Sequence, residues 1–174
     1  MTGQIDDYIG KVPDFPKPGI LFYDISPLLA TPYIWEQAIQ ELAKLITPFN
    51  PSFLAAIDAR GFLVASPLAL KVGCGIIMIR KKGKLPGTTV QQEYSLEYGE
   101  DSLEMRDGII KPGQSVFILD DLLATGGTAE AAVKLINGVG ALVVGAAFLI
   151  ELDGLGGRDR LRNIPCKSLV TYSA

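Results

Sequence analysis

Ser115-Val-Phe-Ile-Leu-Asp120-Asp121-Leu-Leu-Ala124-Thr125-Gly126-Gly127-Thr128 decides the reading of this chain. Ser115 to Leu119 is a short apolar run of the kind that forms a buried strand. Asp120 to Gly127 reads as a loop. Thr128 to Ile136 follows as a helix with Ala129, Ala132, Val133 and Ile136 on one face, ended by Asn137-Gly138. Glycines at the start of a helix let backbone N–H groups approach an anion closely. The helix terminus adds positive potential, and the two Thr hydroxyls add donors. The segment is therefore a phosphate cradle. It is not a Walker loop, because the glycine spacing is too short and no Lys follows. Two carboxylates beside a phosphate would repel it, unless the ligand also carries sugar hydroxyls, a metal or developing positive charge.

Working outward, Leu142 to Leu149 reads as the next buried strand. Upstream, Phe53 to Ile57 reads as a strand and Asp58-Ala59-Arg60-Gly61 as a turn. Phe62 to Lys71 reads as a helix kinked at Pro67, and Ile76 to Ile79 as a further strand. The alternation predicts an α/β fold with a mostly parallel central sheet and helices on both faces, its ligand bound beyond the carboxyl ends of the strands. Between these units lies residues 80–105, a basic loop and an antiparallel excursion. Arg80-Lys-Lys-Gly-Lys-Leu-Pro-Gly-Thr88 is the loop; Thr89 to Tyr94, Leu96 to Tyr98 and Ser102 to Met105 are strand-like. At the N-terminal side, residues 12–19 are punctuated by prolines. Trp35 to Ile46 has helical spacing and Pro48 stops it.

The 174 residues suit a single domain, 1–174, and include 16 Lys plus Arg, 19 Asp plus Glu, two Cys and no His. Lack of histidine excludes Ser-His-Asp and Cys-His nucleophile systems and the H-E-x-x-H zinc proteases. Cys74 and Cys166 are too few for a Cys₄ zinc or iron–sulfur site. Acid–base work falls to carboxylates, Lys, Tyr or the substrate, and any metal is expected to be a hard, oxygen-bound ion such as Mg²⁺. A net charge of −3 argues against broad binding to nucleic acid or membrane. No secretory signal or 18-residue apolar span is visible, so a cytoplasmic setting is expected.

The 116–128 stretch resembles the phosphoribosyl pyrophosphate (PRPP) motif of the type I phosphoribosyltransferases, and of their adenine-specific members in particular. D-F-P-K-P-G-I-L-F at 14–22, D-I-S-P at 24–27, A-R-G-F at 59–62, R-K-K-G-K-L-P-G at 80–87 and Y-S-L-E-Y-G at 94–99 extend the likeness along nearly the whole chain. The resemblance implies the type I phosphoribosyltransferase fold, with a small N-terminal hood (1–33) and a flexible catalytic loop. It also implies conversion of adenine and PRPP to AMP and pyrophosphate with Mg²⁺. A sister reading keeps the cradle and changes the base to hypoxanthine, guanine or xanthine. A PRPP-binding regulator is the non-enzymatic alternative, although no helix-turn-helix accompanies it.

Carried over residue by residue, the resemblance gives Ala124, Thr125, Gly126, Gly127 and Thr128 the 5′-phosphate. Asp120 and Asp121 flank the ribose, where carboxylates can stabilise oxocarbenium character. Arg60, Arg80, Lys81 and Lys84 face the pyrophosphate, with Pro86-Gly87 in a mobile lid. Glu97 meets the purine near N7, as holder of the proton that N9 loses. Leu21, Phe22 and Tyr23 form the adenine pocket, with Phe22 stacking on the base and backbone groups of Leu21 and Tyr23 reading its edge. Tyr23 stands where relatives often carry a basic residue. No dedicated metal ligand is expected; Mg²⁺ would ride on PRPP oxygens and water near Asp120 and Asp121. The implied assembly is a homodimer.

Overall fold

The computed structural model describes residues 3–95 and 100–174. The N-terminal part holds α1 (Gly3–Asp6), the antiparallel pair β1 (Gly10–Val12) and β2 (Phe22–Asp24), then α2 (Ser26–Ala30) and α3 (Pro32–Ile46). The alternating part follows with β3 (Phe53–Ile57), α4 (Arg60–Val72) and β4 (Gly75–Lys81). A hairpin, β5 (Thr89–Ser95) and β6 (Glu100–Arg106), leaves the alternation. β7 (Ser115–Leu123), α5 (Gly127–Gly138), β8 (Leu142–Asp153), α6 (Gly157–Arg160) and β9 (Cys166–Ser173) resume it. Among the described residues the main sheet has seven strands in the order β5-β6-β4-β3-β7-β8-β9. β4, β3, β7, β8 and β9 run parallel; β6 is antiparallel to β4 and β5 to β6.

The period-two pattern of the strands builds two cores, one on each face of the sheet. Leu54, Ala56, Phe117, Leu119, Ala147 and Leu149 point to the face covered by α3 and α4. Ala55, Ile57, Val116, Ile118, Ala146 and Phe148 point to the face covered by α5. Leu54, Phe117 and Leu119 are wholly buried. Truncating one such leucine to alanine would cost about 2–5 kcal/mol.

Among the departures from the sequence pattern, three have a clear physical reason. Asp120 and Asp121 lie on β7, not in a loop. The long strand β8 offers ladder partners opposite Asp120, Leu122 and Leu123, and carboxylate side chains do not interrupt backbone pairing. α4 runs unbroken through Pro67 and begins at Arg60, so Arg60 sits in its first turn. β9 is a half-exposed edge strand whose mixed pattern carries no period-two signal. The Phe15–Pro16 and Asp58–Ala59 peptides are cis. Among the described residues no helix is long and apolar enough to cross a membrane, and Cys74 and Cys166 are free thiols.

Candidate active site

β3 and β7 are neighbours and parallel, so their carboxyl ends deliver Asp58, Arg60, Asp120 and Asp121 to one place. Beyond β7 the chain turns at Gly126, whose φ of +79° suits a residue without Cβ, and enters α5 at Gly127. No side chain caps this helix. Its first amides have no intrahelical acceptor and face outward, as in anion sites. A Cβ at Gly127 would stand in open space, so the glycine keeps the mouth clear. Ala124 to Thr128, with Asp120, Leu122, Leu123, Ala129 and Phe148, line a cavity of 110 Å³.

Asp121 is 5% exposed, and its Oδ2 lies 2.8 Å from Arg60 Nη2. That oxygen has no hydrogen-bond donor in line, so the contact is an ion pair rather than a hydrogen bond. Asp120 Oδ1 instead accepts the Asp121 amide at 2.9 Å. Burial, with the adjacent Asp121 charge, pushes the Asp120 carboxyl well above the usual carboxylate range. Burial also raises Asp121, and the Arg60 guanidinium opposes that rise. Gly61 permits the close fit: a Cβ there would lie 3.0 Å from Asp120 Oδ1 and 3.1 Å from the Leu119 carbonyl.

Arg60 also reaches the N-terminal part. Its Nη1 donates to the Tyr23 carbonyl at 3.2 Å, and its guanidinium lies 5.1 Å from the centre of the Phe22 ring. Phe22 is half-buried and edge-on to Phe15; Leu21 is exposed. Tyr23 is 6% exposed and stacks on Tyr172 with ring centres 4.5 Å apart. The Tyr23 side chain therefore belongs to the core, and only its backbone faces Arg60. A tyrosine fits position 23 for that reason.

The basic stretch is tied down. Arg80 and Lys81 are the last residues of β4. Arg80 Nε donates to Asp58 Oδ2 at 2.9 Å and its Nη1 to the Lys84 carbonyl at 3.1 Å. Lys81 pairs with Asp101 at 2.9 Å. Glu104, 2% exposed, accepts the amides of Lys84 and Leu85 and the Thr89 hydroxyl. Burial works against its charge, yet these donors hold its carboxyl below the usual range. Arg106 donates to the Pro86 carbonyl.

Glu97 and Tyr98 lie outside the described residues. The strands β5 and β6 on either side of residues 96–99 are described. Tyr94 donates to Asp101 at 3.3 Å. The expected residues thus fall into two groups. Asp121, Phe22 and the Tyr23 carbonyl meet around the Arg60 guanidinium, Asp120 stands next to Asp121, and 124–128 form the adjoining turn. Arg80 pairs with Asp58 and bonds the Lys84 carbonyl, and Lys81 pairs with Asp101, without a direct contact to the Arg60 guanidinium among the described contacts. Sequence reasoning passed over Asp58, Tyr94 and Glu104. Asp58 ends a strand and Glu104 interrupts an apolar alternation, which were the available signals. Among the described residues no group of three or more His, Cys, Asp or Glu side chains converges.

Comparison with known proteins bears on the family and the fold. Residues 29–170 match the model of the phosphoribosyl transferase domain. The adenine phosphoribosyltransferase of Rhodospirillum rubrum is 58% identical over 98% of this chain and 99% of its own. A crystal structure of adenine phosphoribosyltransferase from Thermoanaerobacter pseudethanolicus superposes with a TM-score of 0.96 at 44% identity, covering 99% of this chain and 100% of that one. The Saccharomyces cerevisiae enzyme, crystallised with an imino-altritol bisphosphate and adenine, gives 0.92 at 34% identity over 97% of each chain. With a cradle, a carboxylate pair and an aromatic-lined guanidinium in one crevice, and with these likenesses over almost its full length, the chain belongs to the phosphoribosyltransferase family, among the adenine phosphoribosyltransferases.

Proposed function

We propose that the protein transfers the 5-phosphoribosyl group of PRPP to adenine, releasing AMP and pyrophosphate in purine salvage. The observation that carries this reading is the junction at Arg60. One guanidinium touches the carboxylate of Asp121, the Phe22 ring and the Tyr23 carbonyl, next to an open helix N-terminus. A ligand with a phosphate, a ribose and a flat base would lie across these groups in that order.

In the reaction N9 of adenine attacks C1′, the C1′–O bond to pyrophosphate breaks with its electron pair, and N9 loses a proton. Ala124 to Thr128 hold the 5′-phosphate through backbone amides and two hydroxyls. Asp120 and Asp121 accept the ribose hydroxyls and offset positive charge developing at C1′. Arg60 grips the departing pyrophosphate, with Arg80, Lys81 and Lys84 beside it. Phe22 stacks on the base, and Glu97 holds the proton at the imidazole edge. Magnesium, carried on PRPP oxygens and faced by Asp120 and Asp121 through its water, would neutralise the leaving group.

The proposal includes a homodimer in a cytoplasmic setting. In support, Leu63 and Leu70 on α4 and Ile76 and Met78 on β4 are exposed apolar side chains, Leu70 at 88%. Leu70 also lines a groove of 630 Å³ with Leu29, Pro32, Trp35, Ile39 and Pro67. The free thiols suit a reducing compartment. The test of function is to incubate the protein with PRPP, Mg²⁺ and one nucleobase at a time. AMP from adenine, with little nucleotide from the other bases, is the expected result. IMP, GMP or XMP in its place would overturn the base assignment, and PRPP binding without turnover would overturn the enzymatic one.

A further inference from the structure

We infer that Arg158, remote from the reacting atoms, is a positioning residue for the 5′-phosphate cradle; the inference rests on the PRPP reading above. The cradle has a floor. A Cβ at Gly157 would overlap the Ala124 carbonyl oxygen, and one at Gly126 would lie 2.8 Å from the Gly157 carbonyl oxygen. The backbone of α6 therefore presses directly on the turn between β7 and α5. Nothing in four residues of helix would keep it there unaided.

Arg158 supplies the anchor. Its Nε donates to Glu151 Oε1 at 2.8 Å, its Nη2 to Glu151 Oε2, and its Nη1 to the Cys166 carbonyl at 2.9 Å. Ser168 donates to Glu151 Oε2 at 2.6 Å. Glu151 is 5% exposed and sits opposite Leu123 in the ladder, one residue before the cradle begins. A two-pronged, charge-assisted contact of this kind fixes direction as well as distance. At the far end of α6, Arg160 pairs with Glu130 in the first turn of α5 at 3.1 Å, and Leu161 is buried in the core. α6 is thus tied to the strand before the cradle and to the helix after it. Loss of the Arg158 fork would let Gly157 recede and the 124–126 turn widen. A shift of about 1 Å in a positioning group can cost up to roughly a hundredfold in function.

The experiment compares Arg158→Gln, Arg158→Lys and Gly157→Ala with the parent protein. It measures ribose 5-phosphate affinity by calorimetry, KM for PRPP and for adenine, kcat and Tm. Expected are a roughly tenfold or greater fall in ribose 5-phosphate affinity and a matching rise in KM for PRPP in Arg158→Gln and Gly157→Ala. KM for adenine should stay within about twofold, and Arg158→Lys should fall between, since it keeps the charge without the fork. Equal changes in both KM values, or a lower Tm with unchanged phosphate affinity, would make Arg158 merely structural and overturn the inference. If Arg158→Gln does not fold, Arg158→Lys carries the test, because it keeps the charge and loses only the fork. Failure of the parent protein to bind ribose 5-phosphate would overturn the inference together with the cradle. Binding without AMP formation would overturn only the proposed reaction, leaving the affinity comparison to decide on Arg158.

Discussion

Asp120 is held in the folded chain at an electrostatic disadvantage. Burial and the Asp121 charge raise its carboxyl above the unfolded value of about 4. Between those two values the folded state binds more protons than the unfolded one, so stability falls as pH rises through that window. Asp120→Asn removes the disadvantage while keeping the shape. At pH 7 a gain of about 1 kcal/mol would raise Tm by roughly 2–4 °C, and kcat should drop by roughly a hundredfold as stabilisation of charge at C1′ is lost. Calorimetry at pH 4 and pH 7 checks the sign: the gain in Tm should shrink at the lower pH. A fall in Tm at pH 7 would mean that Asp120 is retained for stability.

At the scale of elements, the 82–88 turn shows how a basic run can be structured. Its amides converge on Glu104, a buried acid twenty residues downstream of Lys84 in sequence. Glu104→Ala should speed hydrogen exchange at the Lys84 and Leu85 amides by roughly tenfold, the equivalent of one lost hydrogen bond. Exchange in α4 should be unchanged. The same turn marks the limit of sequence reading. Residues 80–88 have the composition of a solvated loop, and the long-range bonds that pin them leave no local pattern. β3, β7, β8 and α5 were legible because apolar runs and glycine stops are local signals. The strand character of Asp120 and Asp121 was not, because it comes from pairing with β8. The place of the Tyr23 side chain was not legible either: only the stack on Tyr172 shows that it faces the core.

For the whole molecule, the exposed apolar surface across α4 and β4 gives the assembly a test. Light scattering should find twice the chain mass of 18.6 kDa. Leu70→Glu or Met78→Glu should each return single chains, since a charge placed in an apolar interface meets no partner. Dimers that persist in both variants would place the contact elsewhere. Isolated chains should retain the parallel sheet and both cores, because the buried residues of α3, α4 and α5 pack within one chain.

Arg60 links two halves of the crevice that could have been separate. It touches Asp121 on one side and the Tyr23 carbonyl and Phe22 ring on the other, the ribose and base sides of the proposed reaction. A ligand that draws the guanidinium to either side alters what the other side meets. On the proposed reading the two substrates would then be thermodynamically coupled, and linkage makes any such coupling reciprocal. Whatever factor PRPP contributes to adenine affinity, adenine must return to PRPP. Titrations in both orders should yield one common factor, and Arg60→Ala should bring it towards one.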